Sequence, residues 1–232
     1  MNIAVIPARG GSKRIPRKNI RDFCGRPMIG WSITAALESG CFNRVIVSTD
    51  DTEIARIARD LGAETPFVRP ATLADDYTPT VPVVRHAIEQ VEAETGLLCG
   101  AICCLYATAP LVRTTDLQHG LTVLQQRGSG FAVSVTSYPA PIQRALRIDS
   151  NGMLAMIAPE NMLVRSQDLE EAWHDAGQFY WGARAAWFSD NPLLGASAAA
   201  VALPRARVQD IDTLEDWATA EAMFHALNAA GR

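Results

Sequence analysis

The sequence lacks the long apolar runs that place a protein in a membrane. Nothing in its 232 residues approaches the roughly 20 consecutive apolar residues of a spanning helix. Only a few apolar residues precede Arg9, too few for the hydrophobic core of a signal peptide. The net charge of −4 also argues against a general nucleic-acid binder. We therefore expect a cytosolic, cytoplasmic protein with no membrane or nucleic-acid partner.

Cysteine clusters with metal-ligand spacing are also missing. The sequence has five cysteines: Cys24, Cys41, Cys99, Cys103 and Cys104. Three of them lie in one apolar stretch, and none forms a paired CxxC pattern. We expect buried thiols in a reducing compartment and no structural zinc site.

What the sequence does contain is an alternation of apolar strands and amphipathic helices. With 48% hydrophobic residues, a chain of this length can build one large α/β domain over 1–232. The βαβα order predicts a mostly parallel sheet. Strands are expected near 3–6, 44–50, 97–106, 131–135, 179–188 and 199–203, and helices over 27–39, 51–61, 81–94, 115–127 and 212–229.

The alternation of strands and helices breaks at residues 140–177. Here the sequence shows a weak hairpin-like pattern around Asn151-Gly152 and then polar residues without an apolar helix face. We interpret this segment as an excursion from the core.

The first strand leads into a cationic loop. Residues 9–19 hold five lysines and arginines and no carboxylate, so their charges repel one another unless an anion neutralises them. Gly10 and Gly11 allow backbone N–H groups to approach an oxyanion. The spacing matches neither the Walker loop nor G-x-G-x-x-G. A solvated basic loop is the alternative, but a position after the first strand favours binding of a triphosphate.

Two carboxylates near the end of the chain form a second pattern. Asp210 and Asp212 lie where a strand passes to a helix. On an extended segment their Cβ atoms are about 7 Å apart on one side, close enough to share a hydrated Mg²⁺ ion. The alternative is that Asp212 only caps the helix, with Glu215 at capping-box spacing, and that Asp210 is a surface acid. A triphosphate loop favours the metal interpretation, since Mg²⁺ commonly bridges carboxylates and phosphates.

Together these segments resemble a known enzyme family. Residues 8–19, 47–50, 67–70 and 210–213 resemble the cytidylyltransferases that make CMP-activated nonulosonic acids, the sialic acid family. Sialic acid members usually have Gln-Pro-Thr-Ser-Pro where this chain has Tyr-Ala-Thr-Ala-Pro at 106–110. Tyr106, Asp168 and the run 174–182 are similar to the branch that activates pseudaminic acid, although that branch has proline where this chain has Ala107.

The resemblance implies a three-layer α/β/α, Rossmann-like nucleotidyltransferase fold and a homodimer in which residues 140–177 contact the second subunit. It implies a reaction of CTP with a nonulosonic acid that gives a CMP-sugar and pyrophosphate. Implied catalytic residues are Lys18, Arg9 and Asp210, and implied Mg²⁺ ligands are Asp210 and Asp212. Implied nucleotide-binding residues are Arg9, Gly10, Gly11, Ser12, Lys13, Lys18, Asn19, Arg69 and Thr80. Implied sugar-binding residues are Tyr106, Thr108, Arg165, Gln167, His174, Asp175 and Gln178.

Several alternatives stay open at this level. Arg165 and Gln167 can bind a sugar carboxylate or form a dimer contact, and His174 can bind the sugar or be a hydrogen-bonded histidine at a subunit contact. The sugar can be pseudaminic, N-acetylneuraminic or legionaminic acid. A catalytically silent nucleotide-binding regulator on the same fold is the non-enzymatic alternative.

Overall fold

The structure, a computed structural model, describes residues 1–128 and 130–230. The strands are β1 (Ile3–Pro7), β2 (Asp22–Phe23), β3 (Arg26–Pro27), β4 (Arg44–Ser48), β5 (Ala101–Leu105), β6 (Phe131–Ser137), β7 (Leu146–Ile148), β8 (Leu154–Met156), β9 (Trp173–Ala183) and β10 (Ala198–Ala202). The helices are α1 (Met28–Glu38), α2 (Thr52–Asp60), α3 (Thr80–Thr95), α4 (Thr114–Arg127), α5 (Arg184–Trp187) and α6 (Leu214–Ala230).

Six strands form the central sheet in the order β10-β6-β9-β5-β1-β4. The pairs β1–β4, β1–β5 and β10–β6 are parallel, whereas β9 is antiparallel to both of its neighbours. The predicted mostly parallel sheet is therefore confirmed. Because β1, β4 and β5 point the same way, their carboxyl ends meet at one edge of the sheet.

Alternation along the strands creates an apolar layer on each face of the sheet. In β1, Ile3 and Val5 pack with α3 and α5 on one face, while Ala4 and Ile6 pack with α1, α2 and α4 on the other. A side-chain period of two produces this division. The predicted three-layer α/β/α arrangement is confirmed. No described helix is long and apolar enough to cross a membrane.

The cysteines follow the same division. Cys103 and Cys104 are fully buried on opposite faces of β5, and Cys99 is buried nearby. Burial raises the pKa of all three thiols, which keeps them protonated. Cys24 and Cys41 are half-buried, and all five cysteines are free thiols.

The prediction of a strand over 179–188 is wrong at both ends. β9 begins at Trp173, so the residues at 173–177 that were assigned to the excursion belong to the central sheet. His174 and Asp175 interrupt the apolar pattern of this part of the strand, although Ala176 is buried in the core. At the other end the chain turns into α5, where Trp187 is buried against Phe131 with ring centroids 5.1 Å apart.

The excursion contains the predicted hairpin. β7 and β8 pair antiparallel on either side of Asn151-Gly152, and Gly152 has a φ of 79° that favours glycine. Several large apolar side chains of this segment are exposed. They are Ile142, Leu146, Ile148, Met153, Leu154, Ile157, Met162 and Leu163.

Candidate active site

The cationic loop is fixed at the carboxyl ends of β1 and β4. The Ala8 amide donates to the Ser48 carbonyl at 3.0 Å, and the Gly10 amide donates to Asp50 Oδ1 at 3.0 Å. Within the loop, the side-chain amide of Asn19 donates to the Arg9 carbonyl at 3.0 Å. The loop therefore lies over the sheet edge where the sequence predicts a ligand.

Gly10 has a steric reason to be glycine. A Cβ atom at this position would lie 2.7 Å from Asp51 Oδ2. Both carboxylate oxygens of Asp51 already have partners. Oδ1 accepts from the Glu53 and Ile54 amides as the cap of α2, and Oδ2 pairs with Arg17. The Arg17 guanidinium, followed by the amides of the cap, holds the pKa of Asp51 below its usual range.

Carboxylates from three other segments neutralise the five cations of the loop. The pairs are Arg9 and Lys13 with Asp76, Arg14 and Lys18 with Asp212, and Arg17 with Asp51 and Glu53. The repulsion expected from the sequence is thus balanced by the protein's own carboxylates. A ligand that uses these cations must replace the carboxylates that hold them.

The two motifs that the sequence links are brought together at Lys18. Lys18 Nζ donates to the Ile211 carbonyl at 2.5 Å and lies 3.3 Å from Asp212 Oδ1. Arg14 Nη1 lies 2.7 Å from the other oxygen of Asp212. Lys18 is the more enclosed of the two cations, with 19% of its side chain exposed against 68% for Arg14.

The predicted capping box of Asp212 with Glu215 is wrong by one residue. The Asp216 carboxylate accepts from the Thr213 amide at 2.8 Å, and the Asp216 amide donates to Thr213 Oγ1 at 3.2 Å. Thr213 and Asp216 therefore cap α6 reciprocally, in the usual capping-box arrangement. Because the helix does not use the Asp212 carboxylate as its cap, that carboxylate faces the cations of the loop.

Asp210 differs from Asp212 in having no ion-pair partner within 4 Å among the described residues. Partial burial and then the charge of Asp212 raise the pKa of Asp210. Both effects mean that a cation placed between the two carboxylates would stabilise the ionised form of Asp210. The described residues contain no group of three or more metal-ligating side chains, so the protein itself offers two carboxylates at most.

Arg69 is a buried cation at the carboxyl end of β4. Its side chain is buried, and its guanidinium donates to Ser48 Oγ at 3.1 Å and to the Ser48 carbonyl. Burial lowers the pKa of Arg69 to about 10, so it is still charged at neutral pH. Because it pairs with no carboxylate in the part of the chain that the structure describes, this guanidinium provides a fixed positive charge at the edge.

A cavity of about 260 Å³ lies between the loop and the start of α3. Among its lining residues are Arg9, Ser12, Lys13, Arg14, Lys18, Asn19, Arg69, Asp75, Asp76, Thr78, Thr80, Tyr106 and Thr108. The Tyr106 hydroxyl is 2.9 Å from Thr80 Oγ1, and burial raises the pKa of Tyr106 to about 12. Tyr106 is therefore a neutral hydrogen-bonding group opposite the cations. Most of the predicted nucleotide-binding residues converge on this cavity, and Tyr106 and Thr108 join them.

The other predicted sugar-binding residues do not line this cavity. Arg165 pairs with Asp168 at 2.7 Å on the exposed excursion, where Gln167 is also exposed. His174 Nδ1 is 2.8 Å from the Asp175 carbonyl, so this histidine is hydrogen-bonded within its own chain. Whether it also lies at a subunit contact stays a prediction. Their roles in sugar binding stay predictions.

Two further predicted sugar ligands have internal contacts at the amino end of β9. Asp175 accepts from the Gly177 amide at 2.8 Å and from the Tyr180 hydroxyl. Gln178 donates to the Arg207 carbonyl at 2.6 Å, while its own Oε1 has no partner within the described part of the chain. Asp175 and Gln178 therefore hold this end of the strand in place.

Asp76 and Asp51 are the site residues that the sequence reasoning missed. Asp51 carries a recognisable signal, since it begins a helix directly after a buried strand. Asp76 sits in an acidic loop just before α3, whose first residue, Thr80, was predicted to bind nucleotide. The signal available for Asp76 was that an acidic loop and the cationic loop carry opposite charges and are both expected at the same edge of the sheet.

Comparison with known proteins identifies the family of this chain. A family model described as "Cytidylyltransferase" matches residues 3–209. The chain belongs to the cytidylyltransferase family.

Individual relatives agree with this assignment. A pseudaminic acid cytidylyltransferase of Campylobacter jejuni is 43% identical over 223 residues, which is 96% of each chain. A CMP-N,N'-diacetyllegionaminic acid synthase of Legionella pneumophila is 34% identical over 72% of this chain and 69% of its own length. A solved CMP:2-keto-3-deoxy-manno-octonic acid synthetase complexed with CTP shares the fold, with a TM-score of 0.68 at 17% identity over 97% of this chain and 98% of that chain.

The contact between Gly10 and Asp51 predicts a difference between two adjacent glycines. Gly10→Ala should destabilise the protein by about 1–2 kcal/mol, because the new methyl group displaces the Asp51 carboxylate from its cap. Gly11→Ala is the matched control, since nothing lies within 4 Å of its Cβ position, and its effect should stay within about 0.5 kcal/mol. Urea unfolding of both variants without nucleotide measures the two effects. Equal losses would contradict the steric role of Gly10.

Proposed function

We propose that this protein is a pseudaminic acid cytidylyltransferase, which joins CTP to pseudaminic acid and releases pyrophosphate. The observation that carries the proposal is the 43% identity to the Campylobacter jejuni enzyme over 96% of both chains. The cavity supports it, because cations that suit a triphosphate face a tyrosine at the position where sialic acid members have glutamine.

In the proposed reaction the anomeric hydroxyl of the sugar attacks the α-phosphorus of CTP. The bond between the α-phosphorus and the oxygen that joins it to the β-phosphorus breaks, pyrophosphate leaves, and the hydroxyl proton passes to solvent. No covalent enzyme intermediate is needed, so catalysis depends on positioning and on neutralising phosphate charge. Arg9, Lys13 and Lys18 supply cations that line the cavity for this purpose, and Arg69 supplies a buried one.

We propose Mg²⁺ as the cofactor, held by Asp210 and Asp212. The donor set fits, since Mg²⁺ favours one or two carboxylates with phosphate oxygens and water as its remaining ligands. When bound, the ion would polarise the α-phosphate and promote loss of the hydroxyl proton. Lys18 and Arg14, which hold Asp212 before the ligands bind, would then turn toward the phosphates.

The exposed apolar side chains of the excursion support a homodimer. Eight large apolar side chains are exposed within residues 142–163, and groups of exposed apolar side chains commonly mark interfaces. We propose that a second copy covers β7 and β8. Arg165 and Gln167, which lie on this segment outside the cavity of their own chain, would then be available to the sugar site of the other subunit.

The carboxylate pair yields a prediction about turnover. Asp210→Asn and Asp212→Asn should each lower kcat by at least roughly 100-fold, because each removes a charged metal ligand. The fold should survive both substitutions, since Thr213 and Asp216 cap the helix and keep that role. Glu215→Gln, an exposed acid in the first turn of the same helix, is the control and should retain activity. Full turnover of the wild type in excess chelator would contradict the metal assignment.

Tyr106 yields a prediction about the sugar. Its ring should favour the 9-deoxy methyl end of pseudaminic acid over the glycerol tail of N-acetylneuraminic acid, because a polar tail would lose hydrogen bonds there. Pyrophosphate release from CTP with each sugar, including legionaminic acid, should give a kcat/KM preference for pseudaminic acid of at least roughly 100-fold over N-acetylneuraminic acid.

The same assay on two variants separates the ring from its hydroxyl group. Tyr106→Gln should narrow this preference. Tyr106→Phe keeps the ring and loses the hydrogen bonds of the hydroxyl group, including the one to Thr80, and it should retain most of the preference. Comparable efficiency of the wild type with both sugars would return the protein to the wider sialic acid family. No pyrophosphate release with any sugar would favour the silent nucleotide-binding regulator.

A further inference from the structure

Asp76 forms ion pairs with two of the cations that are proposed to bind the triphosphate. Its Oδ1 lies 2.5 Å from Arg9 Nη1, and its Oδ2 contacts Lys13 Nζ. The Asp76 side chain, which is 29% exposed, lines the cavity together with both cations. Lys13 and then Arg9 lower the pKa of Asp76, so the carboxylate is ionised at neutral pH.

The acidic loop, residues 74–79, is shaped to present this carboxylate. Asp75 Oδ1 accepts from the Tyr77 amide at 2.9 Å and from the amide and hydroxyl of Thr78 at 2.6 and 2.7 Å. This closed turn directs Asp76 toward the cations and leaves Tyr77 92% exposed. The loop then runs into α3, so it forms one wall of the cavity with Thr78 and Thr80.

A carboxylate and a phosphate compete for the N–H donors of Arg9 and Lys13. Each presents oxygens that accept charge-assisted hydrogen bonds from Arg9 and Lys13. A triphosphate carries several negative charges and can also reach Lys18, whereas Asp76 carries one. The ion pair between Arg17 and Glu53 lies outside this competition, since neither residue lines the cavity. A ligand in the cavity therefore leaves that pair intact.

We propose that Asp76 is an internal competitor for phosphate: it holds Arg9 and Lys13 in the free enzyme, yields them to the triphosphate of CTP, and takes them back as pyrophosphate leaves. This inference rests on the proposed function. Asp76 thereby sets the affinity of the site for the phosphates of CTP and of pyrophosphate. The carboxylate weakens binding of CTP, and in return it speeds release of the product.

The competition predicts tighter binding when the charge of Asp76 is removed. Asp76→Asn should bind CTP and inorganic pyrophosphate about tenfold more tightly, the change expected if the open arrangement is roughly one-tenth populated in the wild type. Pyrophosphate should also become a stronger product inhibitor, and kcat should fall where product release limits turnover. A merely structural role would give weaker binding, so the direction of the change distinguishes the two.

The experiment is calorimetric titration of the full chain with CTP and, separately, with inorganic pyrophosphate. Glu53→Gln is the matched control, because it removes one negative charge next to a loop cation outside the cavity, and its affinities should stay within about twofold. Asp76→Ala provides a second variant should the asparagine disturb the turn, and it should also bind more tightly. Unchanged or weaker binding by both Asp76 variants, or an equal gain in Glu53→Gln, would overturn the proposal.

The two titrations keep this inference separate from the proposed function. A wild type that binds pyrophosphate but not CTP would refute the cytidylyltransferase assignment, while tighter pyrophosphate binding by Asp76→Asn would still support the competition. A wild type that binds both ligands, with no gain in either Asp76 variant, would overturn the competition and leave the proposed function standing.

Discussion

The mutual repulsion of five cations in one loop is the constraint on which the site depends. At 4 Å, two like charges near a protein surface cost on the order of 4 kcal/mol, so residues 9–19 cannot hold one arrangement without counter-charges. The structure supplies them from α2, from the acidic loop before α3 and from the turn before α6. The pairs that involve Asp76 and Asp212 hold cations that line the cavity, and these are the pairs that the proposed triphosphate would compete with.

The direction of the strands explains why these segments meet. β1, β4 and β5 are parallel, so the cationic loop, the Ser48–Asp51 turn and Tyr106 all emerge at one edge. The antiparallel β9 brings its amino end to that edge, where the Tyr106 amide donates to the Gln178 carbonyl at 2.9 Å. The edge therefore places the predicted nucleotide contacts beside Tyr106, the residue that we propose distinguishes the sugar.

Local patterns in the sequence were enough to predict most of the fold. Continuous apolar runs identified the core strands, and capping and glycine signals placed most helices within about two residues. The start of β9 was missed because Trp173–Gly177 lacks an apolar pattern and gains its strand pairing from β6. The cap of α6 was misplaced because Asp212 and Thr213 are both good caps, and only the tertiary contact with Lys18 and Arg14 decides which is used. The pairing of Asp76 with Arg9 spans 67 residues, a distance at which sequence alone gives only the charges.

We propose that Lys18, the enclosed cation of this loop, stabilises phosphate charge as the bond breaks, rather than only binding CTP. The most direct measurement is kcat and the CTP dissociation constant of Lys18→Ala, each compared with the wild type. We predict that kcat falls by at least roughly 100-fold while CTP affinity weakens by less than about tenfold, since charge on the leaving phosphates grows in the transition state. An unchanged kcat with weakened CTP binding would contradict this claim and leave Lys18 a residue that only binds the nucleotide.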